Sequence, residues 1–334
     1  MPEIEINIQK EVKILNKDYY ESFKDLYEDF RLSAVSEYKF ELEPLSYPNF
    51  IESFENKLIN CIIYTENNVP EAFLIYTTAI SESIELNIIH SKNFENIEQR
   101  SCDLLKFFIE EIKEQRREKV VCYPMLGRQE KLVGQIAPLG FKFVGIAVFK
   151  FLPYDNSSRF MLKSALEKEI YHDYSVVSWN DDFMDSAVRI IHEAFETSSD
   201  ALFDTRFKTL DGTYDILNKI VTNIYADYMP AESSVLLYKN KPIGFCFVNI
   251  TSGHIVNIPI VGISKAHQDK GLSKFLLASS LSKIISLVDT TKLPISEINT
   301  NTETNNYPAL KMYRHIGFKE DYNYPQAYMP ILKY

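Results

Sequence analysis

The chain has 334 residues, 46% hydrophobic and 25% charged. That is ordinary globular usage, with enough chain for two cores or one large one. Its formal net charge is −10, from 36 basic and 46 acidic side chains. This balance argues against a nucleic-acid binder, which needs a basic footprint, and suits an anionic membrane surface poorly. It leaves room for a cationic or amine ligand. The acidity is uneven: residues 1–155 carry about −8 and residues 156–334 about −2, as expected of two separate units. Cys61, Cys102, Cys122 and Cys246 form no CxxC pair and sit in apolar surroundings, so buried, reduced thiols and a cytoplasmic setting are expected. The acidic opening, Met1 to Glu5, lacks the apolar core of a signal peptide, and no apolar run is long enough to span a membrane.

In chain order, residues 4–14 alternate and predict a strand, and residues 17–32 predict a helix. Two strand-like runs, 61–64 and 72–76, flank a turn at 66–70. Residues 83–89 alternate again. Residues 98–113 carry Leu104, Leu105, Phe107, Phe108 and Ile112 at helical spacing. A strand at 119–122, a helix at 129–139 and a strand at 141–151 complete this half. Residues 152–158, polar with Pro153 and without periodicity, predict a linker, followed by a helix at 160–170.

The second half repeats that order. A strand is expected at 174–179 and a helix capped by Asn180-Asp181-Asp182 runs to about 195. Residues 197–232 are mixed. A hairpin pairs 234–238 with 242–250, and strands at 254–263 and 295–300 alternate with helices at 271–287 and 308–316. The chain ends in a strand at 327–332. This is a pattern-level repeat of about 160 residues, each copy a mixed α/β sheet with helices on its faces. The expected domains are 1–155 and 156–334.

Two segments carry chemistry. The first is the apolar strand ending Val261-Gly262-Ile263, then a polar loop with Gln268-Asp269-Lys270-Gly271-Leu272-Ser273, then an amphipathic helix. A helix start after a strand presents unpaired N–H groups and a positive dipole end, which suits phosphate. Gly271 lets backbone approach an anion closely, and Lys270 and Lys274 add charge. Taken alone, the loop is equally what any strand–loop–helix junction requires. The second segment runs from Asn305 to Phe318, with Pro308 in the first helical turn and Gly317 just past the end. Ala309, Met312, Tyr313 and Ile316 share one face, and a tyrosine there also reads as core.

Together the segments resemble the acetyl-CoA motifs of the GNAT N-acyltransferase superfamily. The loop pattern [Arg/Gln]-x-x-Gly-x-[Gly/Ala] is met by Gln268, Gly271 and, with a departure to serine, Ser273. The pattern Asn-x-x-Ala-x-x-x-Tyr-x-x-x-Gly-Phe is met by Asn306, Ala309, Tyr313, Gly317 and Phe318. The resemblance covers about residues 174–334. It implies two tandem GNAT-like domains, each a mixed, mostly antiparallel sheet flanked by helices. It implies acetyl-CoA as acyl donor and direct attack by an amine acceptor, with no metal. Backbone of Val261, Gly262 and Ile263 would pair with the pantetheine arm. N–H groups of Asp269, Lys270, Gly271, Leu272 and Ser273 would hold the pyrophosphate behind Gln268. Asn306 would bond the cofactor, and Tyr313 would protonate the leaving thiolate. Pro259, within the strand, removes a ladder donor where the family's strands splay.

The general base is left open. The positions where the family places a glutamate are Asn257 and Asn301, and neither can take a proton. Glu297, Glu303, His254, His267 and a water relay remain candidates. In the first half, residues 90–102 contain no glycine and bring Glu95 and Glu98 where a pyrophosphate would sit. Ile136 stands in the tyrosine position before Gly140-Phe141. A degenerate copy without acetyl-CoA is expected. Residues 197–232, rich in Asp200, Asp204, Asp211, Asp227, Glu232 and aromatics, suit an amine acceptor or a solvated helical face. A non-catalytic acyl-CoA sensor and a protein-interaction module on the same fold are the alternatives. The acceptor and the oligomeric state are not encoded in any motif.

Overall fold

The structure, a computed structural model, describes residues 8–40, 42–78, 83–93, 96–114, 120–127, 129–167 and 173–330. The chain forms two units: Met1–Val144 with Tyr324–Tyr334, and Gly145–Asn323.

In the first unit, β1 (Lys10–Ile14) leads into α1 (Tyr20–Ser36) and α2 (Tyr47–Glu55). Then come β2 (Asn60–Glu66), β3 (Val69–Thr77), β4 (Ile84–Ser91), α3 (Ile97–Glu114), β5 (Val120–Pro124) and the single turn α4 (Val133–Ile136). Strands β1 to β4 are antiparallel neighbours in sequence order, and β5 runs parallel to β4. The β2–β3 turn is tight because Asn67 and Asn68 both take positive φ, 49° and 66°, the twist a two-residue hairpin wants. β3 alternates: Ala72, Leu74 and Tyr76 join the core under α3, while Phe73 faces α1. There α1 buries Phe23, Leu26, Tyr27, Phe30 and Ala34 along one stripe. Tyr27 and Phe50 of α2 meet with ring centroids 4.3 Å apart. Each such buried ring contributes roughly 2 kcal/mol of apolar transfer energy.

The second unit begins with β6 (Lys142–Phe151), α5 (Asn156–Leu166), β7 (Tyr174–Ser178), α6 (Met184–Phe195), α7 (Asp200–Phe203) and α8 (Leu210–Val221). It continues with β8 (Asp227–Tyr228), β9 (Ser234–Tyr238), β10 (Lys241–Thr251), β11 (Ile255–Ile263) and α9 (Leu272–Thr291). It closes with β12 (Glu297–Glu303), α10 (Tyr307–Ile316) and the start of β13 (Lys319–Pro330). Its strand order is β6-β12-β11-β10-β9-β7, with β8 on β10. Cys246, Val248, Val256 and Leu276 belong to the core that includes α9 and α10, whereas Phe245, Phe247 and Ile260 pack with α6 and α8.

The expected cut at 155 is therefore corrected. β6 pairs with β12 from Ile146 to Phe151, so it completes the second sheet. The end of β13, Gln326 to Pro330, pairs with β5 and completes the first. The stretch 152–158 is no linker between units: Asp155 caps α5 by accepting from Ser158 N–H at 3.3 Å, and Ser158 is buried with its hydroxyl on the Gly317 carbonyl. The helix expected at 129–139 breaks into short turns around Val133–Ile136. α2 was not foreseen, and β13 begins eight residues before the expected 327. Residues 1–7, Phe94, Glu95, Lys119, 168–172 and 331–334, on which parts of the expected elements fall, lie outside the described residues. Among the described residues the four cysteines form no disulfide, and no helix is long and apolar enough to cross a membrane.

Candidate active site

The site is built on a fork in the second sheet. β11 and β12 run parallel only over Ile255–Asn257 and Glu297–Asn299. Beyond that, β12 continues on β6 while β11 continues on β10 alone. The cause of the divergence is local. Phe247 opposes Ile260 but Asn249 opposes Asn257, so Ile258 and Pro259 face one residue of β10. This is a β-bulge, and Pro259, without an N–H, sits where a ladder bond is dispensable. Its effect is visible in the packing: Ile258 lies in the α9 core and Ile260, two residues on, in the α6 core. Past the bulge, Val261, Gly262 and Ile263 have β10 as their only strand partner. At Gly262 a Cβ would come 2.5 Å from the Cδ1 tip of Ile191 of α6, which would have to turn aside.

Tyr313 stands at the root of the fork. α10 places it there, buried against Phe149 and Phe318 with ring centroids 5.3 and 5.5 Å away. Its hydroxyl lies 3.3 Å from Thr300 Oγ1, which lies 3.2 Å from the Ile258 carbonyl oxygen. Thr300 carries one hydroxyl proton, which either the Ile258 carbonyl or the Tyr313 hydroxyl oxygen can accept. Burial pushes the Tyr313 hydroxyl up to about 12, with a smaller opposing effect from Thr300 and a small upward push from Asp200. A proton donor is thus held protonated beside the first unpaired residue of β11. Gly317 fixes the helix end, at φ 109° with Ser158 backbone 2.7 Å from where a Cβ would be.

At the other end of the open strand, Gln268 Nε2 donates to the Ile263 carbonyl at 3.0 Å, tying the loop to the strand. Asp269 and Gly271 take φ 61° and 74°, and α9 starts at Leu272 with no side chain capping it. Backbone turned this way at a helix start is an anion-binding concavity. Gln268, Asp269, Lys270 and Gly271 are exposed, Ser273 and Lys274 half-buried, and Leu272 anchors the turn in the core. Lys270 Nζ is spent on the Ala266 carbonyl at 3.1 Å. Asn306 caps α10: its Oδ1 accepts from Ala309 N–H at 3.3 Å and its Nδ2 donates to Thr302 Oγ1 at 3.1 Å. The loop, the open strand and Tyr313 therefore lie along one strand edge, and Asn306 positions the helix that carries the tyrosine.

Of the base candidates, Glu297 is engaged by Lys150 at 3.0 Å and by Asn299 Nδ2 at 3.0 Å. His254 is half-buried on a turn with Nδ1 against the Ser252 carbonyl, and His267 packs on Tyr238. Asn257 donates to Thr251 and Asn301 is exposed. Glu303 differs: burial, then the charge of Asp200, raises its carboxyl, against one opposing backbone hydrogen bond from Ser199. Asp200 is itself raised by the protein crowding its carboxyl, with Ser198 opposing. The residue is exposed overall. Its charge bears on both Glu303 and Tyr313. Asp204 is structural: with Asp215 and Tyr225 it holds the buried Arg206, and Asp215 lies 2.7 Å from that guanidinium.

Two features escaped the sequence reading. Thr300 was legible in principle, as a polar residue two after the inward Ile298 on a strand of period two. The coupling of Asp200 to Tyr313 was not, since nothing local links a loop to a helix more than a hundred residues away.

No family model matches the chain, and no curated protein matches it. Solved structures do. The chain is similar to a GCN5-related N-acetyltransferase from Sphaerobacter thermophilus, at 12% identity and a TM-score of 0.64, over 96% of this chain and 95% of that one. It is similar to a tandem GNAT protein from the clavulanic acid biosynthesis pathway, at 11% identity and 0.55, over 96% and 98%. A glucosamine N-acetyltransferase region of a fungal multi-domain β-N-acetylglucosaminidase matches at 9% and 0.64, over 97% of this chain and 38% of that one. The chain therefore has the fold of the GCN5-related N-acetyltransferases, as a tandem of two α/β units.

Proposed function

We propose that the second unit transfers an acyl group, acetyl in the simplest case, from an acyl-CoA to a primary amine. The observation that carries this reading is the alignment on one strand edge of a helix-start anion cradle, an unpaired stretch of β11 and a buried, protonated tyrosine. The donor's pyrophosphate would lie on N–H groups from Asp269 to Ser273. Its pantetheine amides would pair with Val261 to Ile263 as an added strand. The amine nitrogen attacks the thioester carbon, the C–N bond forms and the C–S bond breaks. Tyr313 gives its proton to the departing thiolate, and Glu303, directly or through water, takes the proton the ammonium loses. A raised carboxyl is the better base near neutrality, and a tyrosine held protonated is a competent acid throughout that range. The two acidic groups Asp200 and Glu303, close enough for the charge of one to raise the other, support a cationic acceptor.

Thiol release from acetyl-CoA in the presence of a panel of small primary amines tests the reading. Amine-dependent release by the wild type, and its loss in Tyr313→Phe with acetyl-CoA affinity retained, is the expected result. No amine-dependent release from any acyl-CoA, by a protein that binds it, would favour a non-catalytic sensor.

A further inference from the structure

The first unit has a partly open cavity of about 130 Å³, lined on one side by Asp29, Ser33 and Glu37 and on others by His90, Lys92 and Ile97. Cavities for drug-sized ligands run to about 300 Å³ and more, so this one takes a molecule of a few heavy atoms and not a nucleotide. Its walls are ordered by buried polar contacts. His90 is 3% exposed, with Nε2 2.9 Å from Asp29 Oδ2 and Nδ1 2.8 Å from the Tyr38 hydroxyl. The carboxylate can only accept, so Nε2 carries the hydrogen and Nδ1 accepts from Tyr38. This contact holds the Asp29 carboxyl at the cavity wall, and the Tyr38 ring lies against Gly127, where a Cβ would come 2.5 Å from it.

We propose that this cavity binds a small amino acid or similar zwitterion, its ammonium on Asp29 and its carboxylate on Lys92. The two walls carry opposite charge. Asp29 and Ser33 are one turn apart on α1 and therefore share a face. Lys92 follows the last residue of β4, and among the described residues no ion pair engages it. Asp29, met by the buried His90 imidazole, and Lys92, which no ion pair among the described residues engages, line one small cavity and complement a ligand with both charges. Ser33 offers a hydroxyl between them and Ile97 an apolar wall for a short side chain. This site lies wholly in the first unit and stands whether or not the second unit transfers acyl groups.

Calorimetric titration of the whole chain with glycine and L-serine tests the assignment, with ethylamine and propionate as single-charge controls. The expected result is saturable binding of an amino acid at one site per chain, at least tenfold tighter than either control. Asp29→Asn and Lys92→Met should each weaken it at least tenfold, and Ser33→Leu, which fills the cavity, should abolish it. Thermal melts of the variants near the wild-type midpoint establish that they are folded; Lys92 is exposed, so its substitution does not disturb the core. No saturable binding of either amino acid overturns the proposal. Ethylamine binding as tightly as glycine overturns the two-charge assignment. Binding unchanged in both Lys92→Met and Ser33→Leu places the ligand elsewhere and also overturns it.

Discussion

Both units open a fork between parallel strands, yet the two forks differ in what fills them. In the first unit β4 and β5 pair only at Ile84–Glu85 with Val121–Cys122, as briefly as β11 and β12 do in the second. There the gap is stitched by side chains. Gln129 donates to the Ile89 carbonyl at 3.3 Å and accepts from the Tyr123 hydroxyl, and all three residues are buried. In the second unit the short Thr300 meets the Ile258 carbonyl at the root of the fork, and among the described residues the strand beyond it has no strand partner on that side. The helix starts share a backbone turn, with positive φ at Gly271 (74°) before α9 and at Asn96 (61°) before α3, and differ in side chains: α3 brings Glu98 into its first turn and buries Arg100 against Glu66 and Ser91. An anion would meet a carboxylate there, and the nearby guanidinium is already spent. Strand divergence thus belongs to the fold, while the acyl-CoA binding proposed for the second unit would depend on a few side chains at the root and rim of its fork.

The comparison can be broken at its most consequential residue. Tyr313→Phe should reduce turnover about a hundredfold, the usual worth of a positioned proton donor, with acetyl-CoA affinity within about twofold. Steady-state kinetics beside a binding titration measure both, and wild-type turnover would remove the tyrosine from the chemistry. Next in size, Glu303→Gln should slow amine transfer about tenfold and remove the acid limb of the pH profile. In the wild type, turnover should climb as the raised Glu303 carboxyl loses its proton. Loss of the Tyr313 proton should not limit it below about pH 10, because that hydroxyl is held up to about 12. A profile that falls near neutral pH on the alkaline side would contradict this.

Two smaller effects sharpen the contrast between units. Gly317→Ala forces a Cβ into Ser158 at positive φ, and should cost about 2–3 kcal/mol in denaturant unfolding. In the first unit, Gln129→Ala unpairs the buried Tyr123 hydroxyl and the Ile89 carbonyl, and should cost about 1–3 kcal/mol. It should not create a second acetyl-CoA site, since the helix start stays acidic. A second equivalent of acetyl-CoA bound by Gln129→Ala would mean that the stitch alone separates the units.

Much of this was legible locally. The Asn67-Asn68 and Lys239-Asn240 turns, with positive φ at all four residues, follow from residue type, and so do the strands they join. Gly271 and the Tyr313 helix lie where the motif spacing put them, because loop, helix start and C′ glycine are short-range features. Strand partnership was not legible: β6 is mostly apolar and β13 mostly polar, and neither composition declares which strands it pairs with. The polar row Tyr228, Asn249, Asn257 and Asn299, in register across β8, β10, β11 and β12, was also hidden, since register between distant strands is a tertiary property. The 129–139 segment reads as helical, but Gln129 is drawn to the Ile89 carbonyl and Pro138 closes the stretch with a turn.

The most direct measurement is a calorimetric titration of the whole chain with acetyl-CoA, repeated on Gly271→Glu. The account predicts one site per chain, lost in the variant, whose added side chain would crowd the cradle and repel the pyrophosphate. Two sites in the wild type, or undiminished affinity in Gly271→Glu, would contradict it.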